Sequence, residues 1–274
     1  DGTPMTDEEA MDEVNRIQDD MEAALGGHRF PNWIGPQRFG SGRPVTPHVG
    51  RHGVNENWED AVMTYLSMEG PNEGEEAQAI RQRIRENGID EGLLDDLPRW
   101  MGFERRMIEH LLSNPDDHVG AFRKLPTNLQ LMTVHALQSI VFNKSLQRRL
   151  EEGLPLARPV VGDIVGRVDE KSQLDVNSCV VVQERTLNRI SRNCDLGRLM
   201  TTGPLPGSEI STSEGEPGQL EQATIEAEGL GDLSWDVEAV PRLSSKGTRR
   251  GLVAEFKEFS VDTVPIAEGS TMDK

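Results

Sequence analysis

Residues 32–40 read Asn-Trp-Ile-Gly-Pro-Gln-Arg-Phe-Gly, which sets amides, a guanidinium and two aromatic rings within nine positions. Pro36 removes a backbone donor, and Gly35 and Gly40 permit positive φ, so the run predicts a rigid loop and not a helix or regular strand. Such a loop presents flat π faces beside Asn32, Gln37 and Arg38. Those are the groups that hold an unstacked nucleobase and its phosphate. The same residues also describe an aromatic-anchored loop that plugs its own core.

Other candidates for chemistry are weaker. His48 and His52 stand at i, i+4, a spacing that binds metal only on a helix. Pro47, Gly50 and Gly53 predict a loop there, so no metal is expected. Cys179 and Cys194 are isolated thiols without a second C-x-x-C, which argues against a disulfide or a metal role. Asp7, Glu8, Asp12, Asp19, Asp20 and Glu22 read as the solvated face of a helix.

The elements that must position the loop follow from periodicity. Thr6 and Glu9 form a capping-box pattern; Met11, Val14, Ile17, Met21 and Leu25 then recur at helical spacing until Gly26 and Gly27. A Pro- and Gly-dense loop is expected over 28–50. Helices are expected from Glu56 to Gly70, over 73–87, 90–97 and 103–113, and from Thr127, read as a cap, to Glu152. On the last of these, His135, Gln138, Ser139 and Asn143 form either a polar seam toward a ligand or a set of internal hydrogen bonds. After Gly153 the pattern turns to short strands at Val160-Val161, Ile164-Val165 and Val180 to Val182. A helix over 186–194, a strand over 198–202 and a turn at 203–207 come next. Residues 208–219 read as a flexible loop, followed by a helix near 218–228 and strands near 237–243 and 250–262. The last ten residues read as frayed.

The chain has 274 residues and a net charge of −18, from 47 acidic against 29 basic residues, of which only six are Lys. Acid-rich, Arg-over-Lys composition suits a cytoplasmic protein of a salt-loving organism, and amphipathic patterning argues against charge-driven disorder. No apolar stretch approaches eighteen residues, so a soluble protein without a membrane anchor is expected.

The nine-residue run resembles the N-x-F-G-x-Q-R-F-G motif of the TruD family of tRNA pseudouridine synthases. Arg43-Pro44-Val45-Thr46 continues the resemblance in its archaeal branch. Residues 135–143 resemble the family's helix with A-x-x-S-x-x-F-N. Residues 202–207 are similar to its T-G-P-L-P-G turn, and Gly247-Thr248-Arg249-Arg250 to its G-x-R-R segment. The order of the four motifs is that of the family.

The resemblance implies an α/β (α+β) fold in which a catalytic domain is interrupted by a large mixed α/β insertion domain. Residues 1–50 and 241–274 would belong to the first, and 51–240 to the second. It implies conversion of uridine to pseudouridine in tRNA, uridine 13 being the usual target, with no metal or redox cofactor. An Asp carboxylate initiates cleavage of the N1–C1′ bond, and the turned base is rejoined through C5. That Asp lies in an upstream G-x-K-D-x-x-A-x-T-x-Q motif, and this chain contains no Lys-Asp pair. Nor does it carry the family's closing L-P-x-G-x-Y-A-T-like run. The expectation is an incomplete piece of a longer enzyme, inactive alone, with a non-catalytic RNA-binding module as the alternative.

Residue by residue, Asn32 would lie near the aspartate and the base, while Gln37, Arg38, Phe39 and Gly40 shape the pocket floor. Ile34 replaces the family's Phe. It can supply apolar contact but not ring stacking, worth about 1–3 kcal/mol per base. Arg43, Arg249 and Arg250 are candidates either for phosphate or for internal ion pairs. An acidic RNA binder is no contradiction. Salt weakens phosphate contacts by counterion release, and close bidentate Arg contacts suit such conditions better than Lys.

Overall fold

The computed structural model describes residues 6–256 and residue 258. Helix α1 (Asp7–Leu25) starts where the capping pattern places it, with Thr6 and Glu9 exchanging backbone and side-chain hydrogen bonds, and stops at Gly26 with φ 71°. The predicted 28–50 loop is more structured than expected. It contains strand β1 (Arg29–Pro31), a 3-10 turn at Pro36–Arg38 and helix α2 (Thr46–Val54). Pro47 sits in the first turn of α2, where a missing N–H costs nothing.

Gly50 explains why that helix forms. A Cβ there would stand 2.2 Å from the Thr133 carbonyl oxygen, so glycine lets α2 press directly on a long helix far along the chain. The local reading saw helix breakers, whereas tertiary packing uses them as a contact surface.

Helices α3 (Trp58–Ser67), α4 (Glu75–Asn87), α5 (Gly92–Asp96), α6 (Gly102–Ser113) and α7 (His118–Phe122) follow. Of these, α3 packs on α2, and α2 in turn lies along α8 (Thr127–Glu151). Pro126, not Thr127, is the N-cap of α8, and the Thr127 hydroxyl instead accepts from Arg242 at 3.0 Å. The largest apolar core lies among these helices and includes Leu66, Ile84, Met107, Phe122 and Leu137.

Beyond α8 come β2 (Ile164–Val168), β3 (Leu174–Val181), helix α9 (Leu187–Asp195), β4 (Leu199–Leu205), helix α10 (Gly215–Ala227), β5 (Thr248–Gly251) and β6 (Val253–Glu255). Strands β3-β2-β4-β5 form an antiparallel sheet in that order, and β1 pairs antiparallel with β6, Phe30 opposite Ala254. A buried Arg149–Asp163 pair, two contacts at 2.7 Å, fastens α8 to the start of the sheet.

Several expectations are corrected here. Val160-Val161 is not strand, and residues 241–243 form a 3-10 turn. Residues 202–205, expected in part as a turn, continue β4 and pair with β5. Segment 208–219 is not a free loop. Ser213 is buried, its N–H and hydroxyl donating to Glu221, and α10 begins at Gly215. The expected strand over 250–262 is represented by β6 as far as Glu255, while 259–262 and the last ten residues lie outside the described residues. The expected 50/51 division falls inside α2. No helix among the described residues is long and apolar enough to cross a membrane.

Candidate nucleic-acid cleft

The segments singled out at 32–40, 135–143, 202–207 and 247–250 converge on one cleft. Ile34, Arg38, His135, Ser139, Leu205 and Arg250 line it. Strand β1 delivers the 32–40 loop. The loop is then pinned to α8, because Asn143 accepts the Ile34 N–H at 2.9 Å and donates to its carbonyl at 2.9 Å. Gln138 of α8 donates to the Pro206 carbonyl at 2.7 Å and to the Ser245 hydroxyl at 2.8 Å. The third and fourth segments touch backbone to backbone, since a Cβ on Gly207 would lie 2.0 Å from the Gly247 nitrogen.

Arg250 is the centre of the arrangement. Its guanidinium donates to Asn32 Oδ1 at 2.6 Å and lies over the Phe142 ring, 5.5 Å from the centroid. Its Nε is buried without a partner among the described residues. Asn32 is anchored at its other end by donation to the Gly251 carbonyl at 2.9 Å. Burial, with the Arg38 charge adding to it, holds Arg250 below its ordinary value. Arg38 is exposed and has no ion pair among the described residues. Partial burial of the ring first, and the Arg38 charge second, hold the His135 imidazole below its ordinary value. A pocket with two poorly compensated guanidiniums favours an incoming anion.

The other sequence candidates are placed differently. Ile34 is half-buried and packs on the cluster of Phe142, Leu146 and Leu252. Gln37 is exposed at the rim, Phe39 is half-buried, and its carbonyl accepts from Thr46 at 2.8 Å. Gly40 has φ 101°, a conformation glycine tolerates. Trp33 is exposed.

For Arg43 and Arg249 the internal alternative holds. Arg43 donates to the carbonyls of Tyr65 and Met68 and neighbours Glu73 and Glu104, which Arg81 also binds. Arg249 is buried, binding Glu221 at 2.6 Å, Thr202 Oγ1 at 2.7 Å and the Ser211 carbonyl at 2.8 Å. Adjacent residues in one strand point to opposite faces, so Arg249 faces α10 while Arg250 faces the cleft.

Of the possible polar seam, Gln138, Ser139 and Asn143 make internal bonds, and His135 alone is exposed. His48 and His52 do lie on a helix, α2, so the local objection to a metal pair falls. Among the described residues, however, no group of three or more His, Cys, Asp or Glu is arranged to hold a metal ion. Burial pushes the Cys194 thiol up to about 12. Sequence reasoning missed Phe142 as the platform under Arg250. A Phe beside a helical Asn was visible, but nothing local marks which ring a distant guanidinium will cover.

Comparison with known proteins finds relatives over most of the chain. The family model described as tRNA pseudouridine synthase D (TruD) matches residues 2–267. A probable tRNA pseudouridine synthase D of Methanosarcina mazei is 41% identical over 85% of this chain and 53% of its own length. One from Halobacterium salinarum is 32% identical over 95% of this chain and 61% of its own. A crystal structure of the same description from Methanosarcina mazei superposes with a TM-score of 0.85 at 38% identity, covering 90% of this chain and 56% of that one. The chain thus spans about half the length of the relatives it matches.

Proposed function

The chain belongs to the TruD family of tRNA pseudouridine synthases, and from that membership we propose that the protein carrying it converts uridine 13 of tRNA to pseudouridine. The observation that carries the reading is the convergence of four separated segments on a cleft containing Arg38 and Arg250, in a chain whose net charge is −18.

A uridine stacked in folded RNA must be extruded before its glycosidic bond can be reached. The cleft offers the extruded nucleotide an apolar contact at Ile34 and two guanidiniums for anionic groups. Arg250, desolvated and pressed by a second cation, gains most from an arriving phosphate or carboxylate. Asn32 sets the direction of Arg250, and Phe142 sets its plane. The nucleophilic aspartate is supplied from outside this span, so that this chain contributes binding and orientation and the aspartate contributes bond cleavage. Arg38 and Arg250 are the RNA-contacting arginines in this reading, with Gln37 at the rim and Phe39 and Gly40 shaping the floor.

The domain division accompanies the proposal. The β1–β6 pairing ties residues 29–31 to 253–255, which supports assigning 1–50 and 241–274 to one catalytic domain and 51–240 to the insertion. A tRNA substrate goes with a cytoplasmic location, and the acid-rich, Lys-poor composition goes with a salt-loving source.

The test is pseudouridine formation in an unmodified tRNA transcript by the protein that carries this chain, with wild type and Arg250→Ala compared. Loss of a charged hydrogen bond is worth about 1.5–3 kcal/mol, so kcat/KM is expected to fall roughly 10- to 100-fold. Unchanged turnover in the variant, or no pseudouridine with wild type, overturns the reading.

A further inference from the structure

Helix α9 carries a second basic feature, among residues that do not line the cleft. Its inner face, Leu187, Ile190 and Cys194, packs over Val165 and Val182 of the sheet region. Arg189 and Arg192, three positions apart, lie on the face of α9 opposite that apolar side, and Arg185 stands just before the helix in the 3-10 turn Glu184–Thr186. All three are exposed, and so is Arg198, just before β4.

Four exposed arginines within residues 185–198 concentrate positive charge locally in a chain whose net charge is −18. Arg16, Arg51, Arg81, Arg83, Arg149 and Arg249, among others, are matched to carboxylates. Acidic residues outnumber basic ones 47 to 29, so partners are plentiful. Yet none of Arg185, Arg189, Arg192 and Arg198 forms an ion pair among the described residues, and Arg185 donates only to Gln183. Asp195, the carboxylate on α9 itself, is occupied by Arg158. Neighbouring guanidiniums left unmatched repel one another, and an external polyanion relieves that repulsion.

We infer that the outward face of α9, with Arg198 beside it, is a docking surface for the RNA backbone, distinct from the cleft that takes the target nucleotide. The inference rests on tRNA being the substrate. Within α9, Arg189 and Arg192 are about 5 Å apart along the axis, and with Arg185 in the turn before it the group spans on the order of 10 Å, the reach of two or three successive phosphates on one strand. Strand β4 connects the two places, since Arg198 precedes it and Leu205 at its far end lines the cleft. Seven strand residues cover roughly 23 Å, so an RNA engaging both places extends over about seven nucleotides. The α9 surface therefore binds a flanking arm and leaves the chemistry to the cleft.

The experiment measures tRNA affinity between 0.1 and 0.5 M KCl (on the order of those used to read counterion release) for the protein that carries this chain. Wild type is compared with R185Q/R189Q/R192Q and with the corresponding triple Lys variant. The Gln variant is expected to lose about 2–2.7 from the slope of log K against log salt, at ~0.7–0.9 per phosphate. Its affinity at the lowest salt should fall at least 10-fold. The Lys variant should keep most of the slope, because a point charge suffices for phosphate. Unchanged slope and affinity in the Gln variant overturn the inference. So does intact tRNA binding with lost affinity for poly-L-glutamate, which would assign the group to an acidic protein. Failure of the cleft reading has a separate signature, absent pseudouridine with normal salt-dependent binding, and wild type that binds no tRNA overturns both.

Discussion

Asn143 holds the backbone of Ile34 with both ends of its amide, accepting from the N–H and donating to the carbonyl, each at 2.9 Å. One side chain on a rigid helix thereby fixes the peptide groups on which the candidate base-contacting residue hangs. Replacing Asn143 by Ala orphans two part-buried backbone groups. A lost or unmade bond of this kind costs about 1–3 kcal/mol, and partial access to water sets the total near ~2 kcal/mol. The denaturant midpoint should fall accordingly. Asn143→Asp keeps the acceptor for the N–H but turns a carboxylate toward the Ile34 carbonyl, so it should not rescue. Wild-type stability in either variant would show that the clamp is dispensable.

Gly50 allows α2 to lie against α8. Gly50→Ala would place a methyl 2.2 Å from the Thr133 carbonyl oxygen, and both partners are helix backbone. Overpacking of this kind costs about 1–3 kcal/mol and sometimes more. A clear fall in Tm is expected, despite alanine's better helix propensity. A rise in Tm would mean that α2 shifts outward freely.

The Arg249–Glu221 pair is buried at both ends. Glu221→Ala leaves a guanidinium uncompensated and should destabilise by about 3–5 kcal/mol. Replacing both partners, as in R249M/E221L, should recover much of that loss. In the double variant the salt slope of tRNA binding should match wild type, because Arg249 faces the interior. A shallower slope would return Arg249 to the RNA surface.

His135 supplies a pH signature. Burial first, and the Arg38 charge second, hold its folded-state value below the ordinary 6.5. The neutral imidazole is thus favoured by folding. The stability penalty sets in as pH falls below about 6.5 and is complete below the folded-state value. Arg38→Gln should raise the His135 titration, leave it below 6.5, and shrink the penalty. Imidazole C2–H chemical shifts against pH read the change directly, and an unmoved titration would mean that Arg38 points elsewhere.

Much of the fold was legible where local signals and tertiary packing agree. The Thr6–Glu9 box and Gly26 bound α1, and the periodicity of α3, α4 and α6 sets their apolar faces. Legibility failed where a distant partner decides. Pro47 and Gly50 read as loop because α8 lies some eighty residues away in sequence. Residues 208–219 read as flexible because Arg249, which binds the Ser211 carbonyl and the Glu221 carboxylate that Ser213 donates to, lies far along the chain. Asn32 and Arg38 were visible by type and spacing in one short run, and Arg250 through the resemblance of its segment to the family's G-x-R-R. The division of labour between Arg249 and Arg250 was not, since strand alternation decides it only once β5 and its register are known.

Helix α8 has a kinetic consequence as the mount for these segments. The bonds that close the cleft join residues 109, 68 and 107 positions apart: Ile34 with Asn143, Gln138 with Pro206, and Gln138 with Ser245. Each closes a long loop, whose entropy must be lost before the bond is gained. Helical contacts near in sequence face no such delay. The cleft is therefore expected to assemble late, after α8 has found its neighbours, and to be the region where opening begins. Substitutions at these bonds should quicken unfolding while leaving the refolding rate nearly unchanged.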